Sequence, residues 1–186
     1  QGIVRSHCVN IDVTEYIHTV FELFDNYEHC GATKICYYFH KAEDGDLYLN
    51  VYFNKDCSIE NMLHILSWYT PKKNPNTTAT KGIGSKFIFM KLRCSLRMIS
   101  KTNNDEMYLY SEQDEGEIYK NRESIMMSET DFNSKIGTEW TDFPKYKKAK
   151  QIPSDIVDMM DKNDKFNTRF LMCFGPIKEE KIIKKY

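Results

Sequence analysis

Glu22-Leu23-Phe24-Asp25-Asn26-Tyr27-Glu28-His29-Cys30-Gly31-Ala32 is an amphipathic run closed by a glycine, and its reading decides the fold class. On a helix, positions i and i+4 lie on one face, so Glu22 and Asn26 project together. A carboxylate can serve as general base and a carboxamide oxygen is a neutral ligand for a hard cation. The pair therefore suits a metal-bound phosphate and the water that attacks it. Solvated helix faces carry the same spacing, so the pair gains meaning only from what surrounds it. Gly31 is a helix stop, and ATKICYYF behind it has the β-branched and aromatic content of a strand.

Working outward, the polar hairpin HKAEDGD leads to a second strand, LYLNVYF, whose alternation sets Leu47, Leu49, Val51 and Phe53 on one face. Farther on, Lys81-Gly82-Ile83-Gly84-Ser85-Lys86 opens the apolar run FIFMKL. Two glycines ahead of a helix let backbone amides approach an anion at its positive end, and Lys81 and Lys86 add charge; a plain turn has the same appearance. Between Thr70 and Lys86 the chain is rich in Pro, Asn, Thr and Lys, as expected of a loop. Beyond residue 93 the pattern is mostly β: SLRMISKT, EMYLYSE, GEIYKN and GTEWTDF read as strands, with a turn at Thr102-Asn103-Asn104-Asp105. SDIVDMMDK reads as a short helix with Ser154 as cap, and TRFLMCFG as a closing strand ended by Gly175-Pro176. Strands in this number with few helices predict an α+β two-layer sandwich.

In this order the pieces resemble the GHKL superfamily of ATPases, which includes gyrase B, MutL, the ninety-kilodalton heat-shock chaperones, the MORC proteins and the histidine kinases. ELFDNYEHCGATKI looks like the N-box, ENMLHILSWYT like the helix after the first glycine box, and TATKGIGSKFIFMKL like the second glycine box in the lid. KIGTEWTDF is similar to the later Gly-Thr strand. The resemblance covers residues 14 to 175, with the MORC, chaperone and MutL branches nearest in character. It implies the Bergerat fold: a mixed, mostly antiparallel sheet covered on one face by helices, in a single domain over 1–186 with a lid at about 70–86. It implies ATP and Mg2+ as cofactors. By this resemblance Glu22 is the catalytic base, Asn26 the magnesium ligand, Lys81, Gly82, Gly84 and Lys86 the phosphate cradle, and Thr138 a contact on the base side.

The departures are specific. Where the family has an Asp-x-Gly-x-Gly turn whose Asp reads the adenine amino group, this chain has Tyr52-Phe53-Asn54-Lys55-Asp56-Cys57-Ser58 and no glycine. Asn54 or Tyr52 takes the Asp position according to register, and Asp56 substitutes only if the turn is rebuilt. His29 stands where many relatives carry an Asp, and Ala79 where an earlier lid glycine is expected.

With 186 residues the chain has the size of one domain. Its 27 acidic residues against 26 Lys+Arg provide no global drive toward nucleic acid, although PKYKKAK and KEEKIIKKY gather lysines locally as solvated faces commonly do. Six cysteines without a Cys-x-x-Cys pair read as free thiols of a reducing, intracellular compartment; neither they nor the five histidines show zinc spacing. No segment reads as membrane-spanning.

The expected function is nucleotide binding of the GHKL type with weak or absent Mg-dependent hydrolysis, acting as a conformational or dimerisation switch. The alternative is a pseudo-ATPase that keeps the fold as a protein or nucleic-acid interaction module. A histidine-kinase catalytic domain is a third reading, and it lacks a phosphoacceptor helix. The resemblance also implies a homodimer on nucleotide binding, and a partner or further domain to supply the phosphate-sensing lysine of gyrase-like and chaperone-like relatives.

Overall fold

The computed structural model describes residues 31–66, 94–114, 144–161 and 166–177. They form one sheet of six strands: β1 (Ile35–Lys41), β2 (Leu47–Phe53), β3 (Leu96–Lys101), β4 (Met107–Gln113), β5 (Lys145–Lys148) and β6 (Phe170–Ile177). The spatial order is β1-β2-β6-β3-β4-β5, so the last strand in sequence sits at the centre. Every pairing among these strands is antiparallel. Among the described residues two α-helices accompany the sheet, α1 (Ile59–Leu66) and α2 (Ser154–Asp161). The α+β class and the antiparallel character of the sheet therefore match the expectation.

The β1–β2 hairpin forms where HKAEDGD predicts it. Gly45 takes φ +93°, which a side chain would resist, while Ala42 and Asp46 close the turn through a 2.8 Å backbone bond. At the β3–β4 turn, the Asn104 side-chain oxygen accepts from the Glu106 amide at 3.0 Å, a local bond that Asn makes readily.

Strand β2 differs from the sequence reading in a way that matters. Leu49, Val51 and Phe53 do share a face, packing with Met62 of α1 and with Leu96, Met98, Phe170 and Met172. The opposite face is buried as well: Tyr52, Ile99, Leu171 and Cys173 pack under Ile156 and Met160 of α2. Among the described residues, helices thus lie on both faces of the sheet rather than on one. The physical reason is position. β2, β6 and β3 are interior strands, and β6 is apolar on both sides, so each face needs a cover.

Strand β6 also continues past its expected end. Gly175 and Pro176 remain within it, because the β2–β6 register places the single residue Tyr48 against these two. Pro176 has no amide hydrogen to donate, and the bulge places it where the ladder needs none. At the far edge, β5 is built from Lys145-Tyr146-Lys147-Lys148, a segment whose composition reads as a solvated run and which pairing with β4 makes a strand. The expected strands GEIYKN and GTEWTDF, the Glu22–Asn26 helix and the loop at 70–86 lie outside the described residues.

Candidate functional site

At one end of the sheet, β2 runs out into the turn Asn54–Ser58. Asn54 organises it. Its side-chain oxygen accepts from the amides of Thr33 at 3.0 Å and Lys34 at 2.9 Å, and its Nδ2 donates to Thr33 Oγ1 at 2.9 Å. Its own amide donates to Lys34 O at 3.3 Å. One side chain therefore ties the residues leading into β1 to the residue leaving β2, with both ends of its carboxamide engaged. Asp56 is different: it is partly exposed, and its carboxylate lies 3.7 Å from Lys55 Nζ, a surface contact of small energetic weight.

The rest of the turn folds back across the neighbouring strand ends. The Cys57 amide donates to Ser100 Oγ at 2.8 Å, and Ser58 Oγ accepts from the Asn61 amide at 3.1 Å, capping α1. Arg169, just ahead of β6, bridges both sides: its amide donates to Phe53 O at 2.8 Å, and its carbonyl accepts from the Lys101 amide at 2.8 Å. The ends of β2, β6 and β3 thus converge on the Asn54–Ser58 turn.

Thr168 sits at this convergence. It is 3 % exposed, and among the described residues its hydroxyl has no hydrogen-bonding partner, a state it shares with Asn50 Oδ1 in β2 and Ser111 Oγ in β4. Buried hydroxyls are nearly always satisfied, so Thr168 has room for one bond from a ligand or an ordered water at this end of the sheet. The preceding residue, Asn167, holds φ +51°, the left-handed conformation that glycine adopts most easily and Asn tolerates. Asn167 thus turns the chain just ahead of Thr168, Arg169 and the interior strand β6.

Of the candidate residues, Asn54 and Asp56 fall within the described residues, and Glu22, Asn26, Lys81, Gly82, Gly84, Lys86 and Thr138 fall outside them. The structure brings Asn54, Asp56 and Thr168 to the same end of the sheet. Thr168 is not among the residues that the sequence reading singles out; the available signal was an Asn-Thr pair separated by Arg169 from the apolar run FLMCF.

Neither protein-family models nor curated proteins give a match to this chain.

A second polar constellation lies on the α2 face, in the row Asn50–Cys173–Arg97–Glu112 that the strand registers align. Arg97 Nη1 lies 2.6 Å from Asp155 Oδ2, its Nη2 donates to Cys173 Sγ at 3.6 Å, and its guanidinium stands 5.9 Å from the centre of the Tyr48 ring. Burial opposes the Arg97 charge, but Cys173 and Asp155 outweigh it and hold the pKa above the ordinary arginine value. Asp155 is the charged partner of the two. Burial pushes the Cys173 thiol up despite Arg97, which leaves it protonated and a poor nucleophile. The Tyr110 phenol is likewise raised, by burial and then by Glu112, whose carboxylate accepts its hydrogen bond at 2.8 Å. This group anchors α2 and offers no reactive atom. Among the described residues no three His, Cys, Asp or Glu side chains gather as a metal site, and no helix is long and apolar enough to cross a membrane.

Proposed function

We propose that this protein binds a nucleotide in the GHKL manner, at the sheet end formed by the Asn54–Ser58 turn and Thr168. The observation that carries the reading is the hydroxyl of Thr168, a residue 3 % exposed, without a partner among the described residues, behind the positive-φ Asn167 and beside the turn that on this reading takes the place of the first glycine box. A base edge would satisfy that hydroxyl. Thr168 thereby joins Thr138 as a candidate for the base-side contact. A bound nucleotide would present its phosphates to Lys81, Gly82, Gly84 and Lys86, and Asn26 would hold Mg2+, which neutralises phosphate charge when bound. Glu22 would take a proton from the attacking water. The finer fold assignment, a Bergerat-type sandwich to which α1 adds a cover on the second face, belongs to the same proposal.

Isothermal titration of the 186-residue chain with a non-hydrolysable ATP analogue and magnesium, alongside ADP and GTP, tests it. Saturable heat is expected, and Thr168→Val should lose about tenfold in affinity while leaving the unliganded protein at least as stable, because a buried unpaired hydroxyl is removed. If hydrolysis is present, Glu22→Ala should abolish turnover with affinity nearly unchanged. An absence of binding at millimolar nucleotide would overturn the proposal.

One observation favours the interaction-module reading instead: the Asn54 side-chain oxygen already accepts from the Thr33 and Lys34 amides, so it is not free to replace the adenine-reading Asp. On that reading the sheet end is a structural clamp, and the same titration returns no heat.

A further inference from the structure

The outer strand β5 shares few features with the rest of the sheet. Lys145, Lys147, Lys148 and the adjoining Lys150 have no carboxylate partner among the described residues, whereas Lys55, Arg97 and Lys101 each have one. Tyr146, between the first two lysines, is 58 % exposed, the highest value among the described large hydrophobic side chains. The strand registers set Lys145 opposite Tyr110 and Lys147 opposite Tyr108, and Lys147 Nζ stands 5.0 Å from the centre of the Tyr110 ring. The strand geometry therefore sets Lys145 and Lys147 on one face of the edge and the exposed Tyr146 ring with Lys148 on the other.

We infer that the β5 edge binds single-stranded nucleic acid, with its phosphates on Lys145, Lys147, Lys148 and Lys150 and an unpaired base stacked on Tyr146. Extended backbone spaces charges in a line, and an aromatic ring among cations is the pairing that holds unstacked strands without reading sequence. Because the lysines point to both faces of the edge, the anion must run along it and reach each side. A flexible single strand can follow that path, and a rigid duplex cannot offer a base to Tyr146. An acidic peptide added as a further strand is disfavoured by length: β5 has four residues before the 3-10 turn Ala149–Gln151, so few ladder bonds are within reach. Lysines on an edge strand also keep other strands from pairing with it; that role needs neither an exposed ring nor salt-dependent affinity for an anion. The inference does not rest on the nucleotide proposal, since β5 and the Thr168 end involve different residues.

The test is fluorescence anisotropy of the full chain with a labelled oligothymidylate of about a dozen nucleotides. Neutralising four phosphates predicts a salt slope near −2.8, or about a fifty-fold loss of affinity between about 50 and 200 mM salt. In the double variant Lys145→Gln/Lys148→Gln that loss should shrink to about sevenfold. Tyr146→Ala should cost at least about fivefold at constant salt. Lys34→Gln, ahead of β1 at the opposite edge, should bind as the parent does. Circular dichroism verifies that each variant is folded, and the charge reversal Lys148→Glu gives an independent arm that should weaken binding at least as much as the double variant does. Equal binding by the lysine variants, equal capture of a polyglutamate of matched charge, or displacement of the oligonucleotide by the ATP analogue would each overturn the inference.

Discussion

Arg97 on β3 and Asp155 on α2 meet at 2.6 Å, with the arginine side chain 13 % exposed and the carboxylate 53 % exposed. The contact joins a helix to a sheet face across a separation of 58 residues, and it neutralises a charge that the packing of Tyr48 and Cys173 has largely removed from water. Removing either partner has unequal consequences. Arg97→Ala should cost about 2–3 kcal/mol in urea unfolding, since packing and hydrogen bonds are lost together. Asp155→Asn should cost about 1 kcal/mol, because a half-exposed carboxylate is partly replaced by water. A larger cost for Asp155→Asn than for Arg97→Ala would contradict this order.

Asn54 is the bracket between the lead into β1 and the end of β2. Asn54→Ala removes its three side-chain bonds and should lower stability by about 2–3 kcal/mol, measured by thermal or urea denaturation. Asn54→Asp retains the acceptor for the Thr33 and Lys34 amides and loses the donor to Thr33 Oγ1, so about 1 kcal/mol is expected. Hydrogen exchange at the Thr33 and Lys34 amides should accelerate in the alanine variant first.

Gly175 lies against the ring of Tyr48, and a Cβ there would come within 2.8 Å of Cε1 and Cγ and collide with Cδ1. Gly175→Ala should therefore destabilise by about 1–3 kcal/mol through overpacking. Adding Tyr48→Ala removes the obstacle, so the double variant should be more stable than the sum of the single effects predicts. Strict additivity would place the cause elsewhere.

Alkaline pH should unfold the protein through the α2 face. Burial, followed by nearby carboxylates, pushes the phenols of Tyr48, Tyr108 and Tyr110 above their ordinary 10.0, and burial pushes the Cys173 thiol above 9.0. The unfolded chain therefore releases these protons first as pH rises. The associated stability is complete below the ordinary values and is lost as pH climbs through them toward the folded ones. The urea midpoint should be flat from neutrality to about pH 9 and fall above it. Tyr110→Phe should soften that fall while leaving the neutral-pH midpoint within about 1 kcal/mol of the parent.

Much of the local architecture was legible in the sequence because local chemistry dictates it. The HKAEDGD turn needs the glycine conformation at Gly45, LYLNVYF and SLRMISKT alternate as strands, and SDIVDMMDK carries its own helical stripe. What was not legible depended on neighbours. Tyr48, Asn50 and Tyr52 look like the outward face of β2, yet they are covered once α2 docks. KYKK has the composition of a solvated run, and pairing with β4 makes it an edge strand. The candidate site divides in the same way. Asn54 stood out as the residue in place of a missing Asp, but its engagement with Thr33 and Lys34 follows from a hairpin that brings residues about twenty positions apart together.

By itself the sequence determined the α+β class, the positions of most described strands and of helix α2, and the absence of glycine from the turn after β2. These follow from side-chain periodicity and backbone preference, which act over a few residues. The tertiary structure alone decided that the last strand inserts at the centre of the sheet, that both sheet faces are covered, and that Thr168 is buried beside the Asn54 turn without a partner among the described residues. Strand order and burial depend on which distant segments exclude water from one another, and that is a property of the packed chain rather than of any short stretch within it.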